Sequence, residues 1–114
     1  MAYPLVHIVN STDHNISGKV NYASAFCSDD SFTIGPKGEW TASSRGACLV
    51  TQVYADVNVA GKSVRATPYT SSGTSYSEFA VIETAGSFSV TRVITGVEDI
   101  DVGVLEAEPA ELQK

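Results

Sequence analysis

Between residues 16 and 26 the chain reads Ile16-Ser17-Gly18-Lys19-Val20-Asn21-Tyr22-Ala23-Ser24-Ala25-Phe26, and this run settles the fold class. Every even position except Ser24 is apolar or glycine, and the odd positions are small or polar. Successive side chains of a strand point to opposite faces, so a period of two marks a β-strand with one buried and one wet side. On that parity Val20, Tyr22 and Phe26 face inward.

The same alternation recurs along the chain. It predicts strands over Leu5–Val9, Ile16–Phe26, Ser31–Ile34 and Glu39–Ser43, the last two paired across the turn Gly35-Pro36-Lys37-Gly38. In Ala47–Ala60 the residues Ala47, Leu49, Val53, Ala55, Val57 and Val59 share one parity, with Thr51 the polar exception. The opposite parity includes Cys48, Val50 and Tyr54, as in a central strand covered on both faces. Gly61-Lys62 reads as a hairpin turn into Ser63–Tyr69, where Pro68 marks a sheet edge because proline donates no ladder hydrogen bond. Thr70–Ser75 reads as a polar, flexible loop. Strands Tyr76–Thr84 and Ser87–Ile94 follow, joined at Ala85-Gly86, and alternation at Ile100, Val102 and Val104 predicts a last strand. The expected architecture is all-β: one antiparallel β-sandwich of about seven to nine short strands over residues 1–105. Residues 106–114 form an acidic tail, frayed or disordered.

With 114 residues and 43% apolar content the chain fits one domain with an ordinary core. The net charge of −6 is concentrated at the C-terminus. Glu98, Asp99, Asp101, Glu106, Glu108 and Glu111 face only Lys114 there, and the rest of the chain is nearly neutral. Its basic residues are scattered singly, which argues against nucleic acid and against electrostatic attraction to anionic lipid. Residues 1–9 lack a basic region followed by a long apolar run, so no secretory signal or transmembrane segment is expected. That points to a cytoplasmic protein or one released by a non-classical route. Asn10-Ser11-Thr12 and Asn15-Ile16-Ser17 match the glycosylation sequon but read as ordinary turn residues.

Cys27 and Cys48 are the only cysteines, and two readings stand side by side: a disulfide closing a loop of about 20 residues, or two reduced thiols in a core. Neither has a second Cys or His at ligand spacing, so no metal and no other cofactor is expected. His7 and His14 lack a nucleophile context, so the chain reads as non-catalytic. The segment Phe32–Gly46 is the most distinctive. It combines a strand, a Gly-Pro-x-Gly turn, the lone Trp40 and the pair Arg45-Gly46. Trp40 suits either a core plug or an exposed anchor for a sugar ring or lipid interface.

Val6-x-Ile8-x-Asn10-x-Thr12, the amphipathic strand after it and Phe32-x-Ile34-x-Pro36-x-Gly38-x-Trp40 resemble the opening half of small β-sandwich cytolysins and insecticidal proteins of the actinoporin and aegerolysin type, over roughly residues 4–60. The resemblance implies a sandwich that docks on a lipid or glycan head group through aromatic residues. The chain departs from actinoporins at its start, where Met1–Val9 reads as strand in place of an amphipathic helix. The leading expectation is therefore a binding module whose end loops, 35–46 and 70–76 among them, contact a glycan or membrane head group through Trp40, Arg45, Tyr69 and Tyr76. The alternative is a structural protein that forms homo-oligomers through sheet edges.

Overall fold

The computed structural model describes residues 3–94, and these form nine strands and no helix. In chain order they are β1 (His7–Asn10), β2 (Ile16–Tyr22), β3 (Asp30–Ile34), β4 (Glu39–Thr41), β5 (Val50–Val59), β6 (Lys62–Arg65), β7 (Tyr69–Thr74), β8 (Glu78–Thr84) and β9 (Ser87–Arg92). They build two sheets, one in the order β4-β1-β8-β9 and one in the order β3-β2-β5-β6, with β7 also paired to β5. The strand expected at Ile100–Val104 and the acidic tail lie outside the described residues.

The core lies between the sheets and holds the residues that alternation turns inward. Val6, Ile8, Val20, Val50, Val53, Ala55, Val57, Phe79 and Val81 are fully buried. Gly18 sits on the same inward parity for a steric reason. A Cβ there would lie 1.9 Å from the Tyr54 carbonyl oxygen and 2.8 Å from the Phe32 ring, so β2 approaches its neighbours as only glycine allows.

In β5 the register against β2 shifts between Gln52 and Val50, leaving Thr51 as an extra residue, and the side-chain parity inverts there. That bulge buries Val50 as fully as Val53, and it explains why Thr51 breaks an otherwise apolar pattern. Two-residue turns close β5–β6 and β8–β9. Ala60 and Gly61, then Ala85 and Gly86, all take positive φ, the conformation that matches the twist of a hairpin. The first of these turns is thus Ala60-Gly61, and Lys62 already pairs with Val59.

Four further expectations need correction. β1 and β8 run parallel, so the sandwich is not wholly antiparallel. β4 pairs with β1, not with β3, so the turn 35–38 crosses between sheets instead of closing a hairpin. Residues 70–74 are strand, paired to the bulged half of β5. Finally, β2 ends at Tyr22, and Ala23–Asp29 form a loop that carries Phe26 out of the core to 99% exposure.

At the far side Thr67 bridges β9: its amide donates to Phe88 O and its carbonyl accepts from Val90 N. The edge of β9 is thereby taken up by the segment that links β6 to β7.

Candidate functional site

The strands run between two ends of different character. At one end lie the turns 11–15 and 35–38, and at the other the loops 23–29 and 42–49 with the incoming residues 3–6.

The second end is assembled around a disulfide and an arginine. Cys27 and Cys48 are bridged, with Cα atoms 6.1 Å apart, which resolves the two readings of these residues in favour of the bond. The bridge pins the loop after β2 to the segment leading into β5. Ala23 N donates to Leu49 O at 2.8 Å, Cys27 N donates to Ser24 O at 3.0 Å, and Phe26 N donates to Ser24 Oγ at 3.1 Å. A serine hydroxyl that accepts from an amide two residues on is the local turn expected of this residue type. Phe26 thus projects from a loop whose backbone is fixed on both sides of it.

Arg45 is buried and its guanidinium works as a clamp. Nε donates to Cys48 O at 2.9 Å, Nη1 to Pro4 O at 3.0 Å and Nη2 to Thr74 O at 2.8 Å. One side chain thereby ties its own loop, the N-terminal segment and the end of β7. The Tyr3 ring lies 5.3 Å from its guanidinium carbon, and Tyr3 N donates to Gly46 O.

Between these pieces opens a cavity of about 400 Å3, lined by Tyr22, Phe26, Ser28, Asp30, Ser44 and Arg45 together with both half-cystines. Its size falls within the range of small-ligand sites. On its wall Tyr22 Oη donates to Asp30 Oδ2 at 2.6 Å. Burial and the neighbouring Asp30 carboxylate push the Tyr22 phenol well above its ordinary pKa, so it stays a neutral donor at any physiological pH.

The four nominated residues do not come together on one surface. Tyr69 and Tyr76 are buried, Tyr69 with its ring 4.9 Å from Phe79 and Tyr76 beneath the Arg92 guanidinium at 3.5 Å. Trp40 is half-buried on β4 and packs with its ring 5.5 Å from Phe32, closing the gap between β4 and β3. Arg45 belongs to the cavity, but as the clamp behind it. The residue that sequence reasoning missed is Phe26, assigned inward by parity. Its neighbours carried the signal: an aromatic set among Ala23, Ser24 and Ala25, one position before a cysteine, is poorly placed to continue a strand.

A second cavity, of about 320 Å3, lies at the opposite end among Asn15, Ser17, Thr33, Asp56, Asn58 and Lys62. No aromatic ring lines it, and its carboxylate, Asp56, is held by Arg65. Among the described residues no cluster of three or more His, Cys, Asp or Glu side chains is placed to hold a metal ion. No helix among them is long and apolar enough to cross a membrane.

No family model and no curated protein matches the chain. Among solved structures the fold is similar to an NMR structure of a protein from Eubacterium rectale, with a TM-score of 0.55 and 14% identity, over 84% of this chain and 93% of that one. At this identity the likeness concerns the fold alone.

Proposed function

We propose that this domain is a non-catalytic binding module that takes a glycan or a membrane head group at its Cys27–Cys48 end. The observation that carries the reading is Phe26, 99% exposed at the tip of a loop stapled by a disulfide and opening onto a cavity. A fully solvated phenyl ring contributes nothing to the fold. Covering it on a ligand would contribute about 1.5–3 kcal/mol, and little ordering cost opposes that gain because the loop is already fixed. The loop position also fits the usual division of labour, in which a rigid sheet scaffold carries recognition at its ends. The disulfide further supports a working environment outside the reducing cytosol, which favours the released form of the two locations expected from the sequence.

Phe26→Ala tests this against wild type on immobilised glycans and on phosphatidylcholine liposomes. The expected outcome is at least a tenfold loss of binding with an unchanged melting temperature. Equal binding by both proteins, or binding by neither, contradicts the reading.

A further inference from the structure

Resting on that reading, the geometry points to an uncharged sugar, rather than a phosphate-bearing head group, as the ligand of the Phe26 cavity. The argument is one of charge and hydrogen-bond inventory. The cation that lines the cavity, Arg45, is buried and committed to the fold: three backbone carbonyls accept from its Nε, Nη1 and Nη2. Its Tyr3-facing side is covered by the ring. The other charged group lining the cavity is a carboxylate, Asp30, and a second, Asp29, is exposed next to it in the chain. These carboxylates disfavour anions, and a phosphate or sulfate would meet a guanidinium already committed to backbone carbonyls instead of one poised to hold it bidentately.

A sugar matches what remains. The C–H face of a pyranose packs against the negative face of an aromatic ring, which Phe26 presents to solvent. Its hydroxyls are donors and acceptors at once. They can donate to the Asp30 carboxylate, a charge-assisted bond, and exchange hydrogen bonds with the Ser28 and Ser44 hydroxyls that line the same space. Tyr22 Oη holds Asp30 Oδ2 at 2.6 Å, which orients the carboxylate before any ligand arrives. The site is therefore pre-organised for a polyol stacked on a ring, and electrostatically closed to anions.

The test is a panel of neutral, sialylated and sulfated oligosaccharides beside phosphatidylcholine vesicles with and without phosphatidylserine. It is run on wild type, Phe26→Ala and Asp30→Asn; the last keeps an acceptor for Tyr22. The expected result is binding to neutral sugars only, weakened about ten- to a hundredfold by Phe26→Ala and several-fold by Asp30→Asn. Phe26-dependent binding to vesicles or to charged sugars overturns the ligand class but leaves the recognition end standing. Binding that is absent throughout, or indifferent to Phe26→Ala, overturns both.

Discussion

The two ends of the sandwich solve the same problem, holding their loops in place, by opposite means. At the end of turns 11–15 and 35–38 the tie is a buried amide. Asn10 is fully buried at the close of β1, and its Nδ2 donates to His14 O at 2.7 Å and Gly35 O at 2.9 Å. Its Oδ1 accepts from Thr12 N and Thr12 Oγ1, and its backbone amide donates to Gly38 O. Both polar atoms of the Asn10 side chain are engaged, and the turns fold over it. At the other end the tie is covalent, assisted by the Arg45 clamp and a local serine turn, and the loop needs no buried aromatic of its own to stay in place. Phe26 is left free to face solvent. A knot of hydrogen bonds consumes its loops, whereas a disulfide fixes a loop and leaves its tip available for recognition.

The contrast can be broken most severely at Asn10. Asn10→Ala takes the acceptor from the Thr12 amide and hydroxyl and the donor from the His14, Ile34 and Gly35 carbonyls, at about 1–3 kcal/mol for each buried group left unpaired. The expected loss is about 3 kcal/mol or more, read as a collapse of the denaturation midpoint. Should Asn10→Ala melt like wild type, the knot is not what holds that end. Because the amide is buried, the Asn10-Ser11-Thr12 sequon offers no acceptor in the folded protein.

Replacing both Cys27 and Cys48 by serine removes a constraint across 21 residues. The expected cost is about 3 kcal/mol. Amide exchange sharpens the comparison, with protection expected to fall in residues 23–29 and 44–48 while Asn10, Thr12 and Ile34 keep theirs. Uniform loss across both ends would show that the ties are not independent.

A smaller, pH-dependent effect belongs to the outer face of the β4-β1-β8 sheet. The His7 imidazole lies 2.8 Å from Glu78 Oε1 and 2.5 Å from Glu39 Oε1, bridging three strands. The hydrogen bond with Glu78, helped by Glu39 and opposed by burial, raises its pKa above 6.5. A raised folded-state pKa stabilises fully below 6.5 and the contribution fades as pH rises through the folded value. Melting temperatures from pH 5 to 9 are expected to fall across that window in wild type and to flatten in His7→Gln. Stability that rises through the same window would contradict the bridge. Phe26→Ala is the smallest expected perturbation of stability, within about 0.5 kcal/mol, while the proposed site predicts that its effect on binding is the largest at either end.

Much of the fold was legible because the period of two is local. Val20, Val53, Ala55 and Val57 are inward as their parity requires, and Ala85-Gly86 closes β8–β9 at the expected place. What escaped was non-local. Nothing near His7–Asn10 says that its neighbour is a parallel strand some 70 residues away, or that β4 turns to β1 rather than β3. Residues 70–74, rich in serine and threonine, become strand because they pair with the half of the β5 edge that β6 leaves unoccupied. The site escaped for a related reason. Trp40, Tyr69 and Tyr76 were judged by residue type, but each is needed between the sheets, and Phe26 was judged by a parity that stops at Tyr22.

The most direct test is a titration of isotopically labelled protein with a mixture of neutral oligosaccharides, followed by amide chemical shifts. Perturbations confined to residues 22–30 and 44–48, with 10–15, 34–38 and 58–63 unmoved, are the predicted result. Shifts centred on the Asn10 end, or on the second cavity around Asn58 and Lys62, would contradict the account.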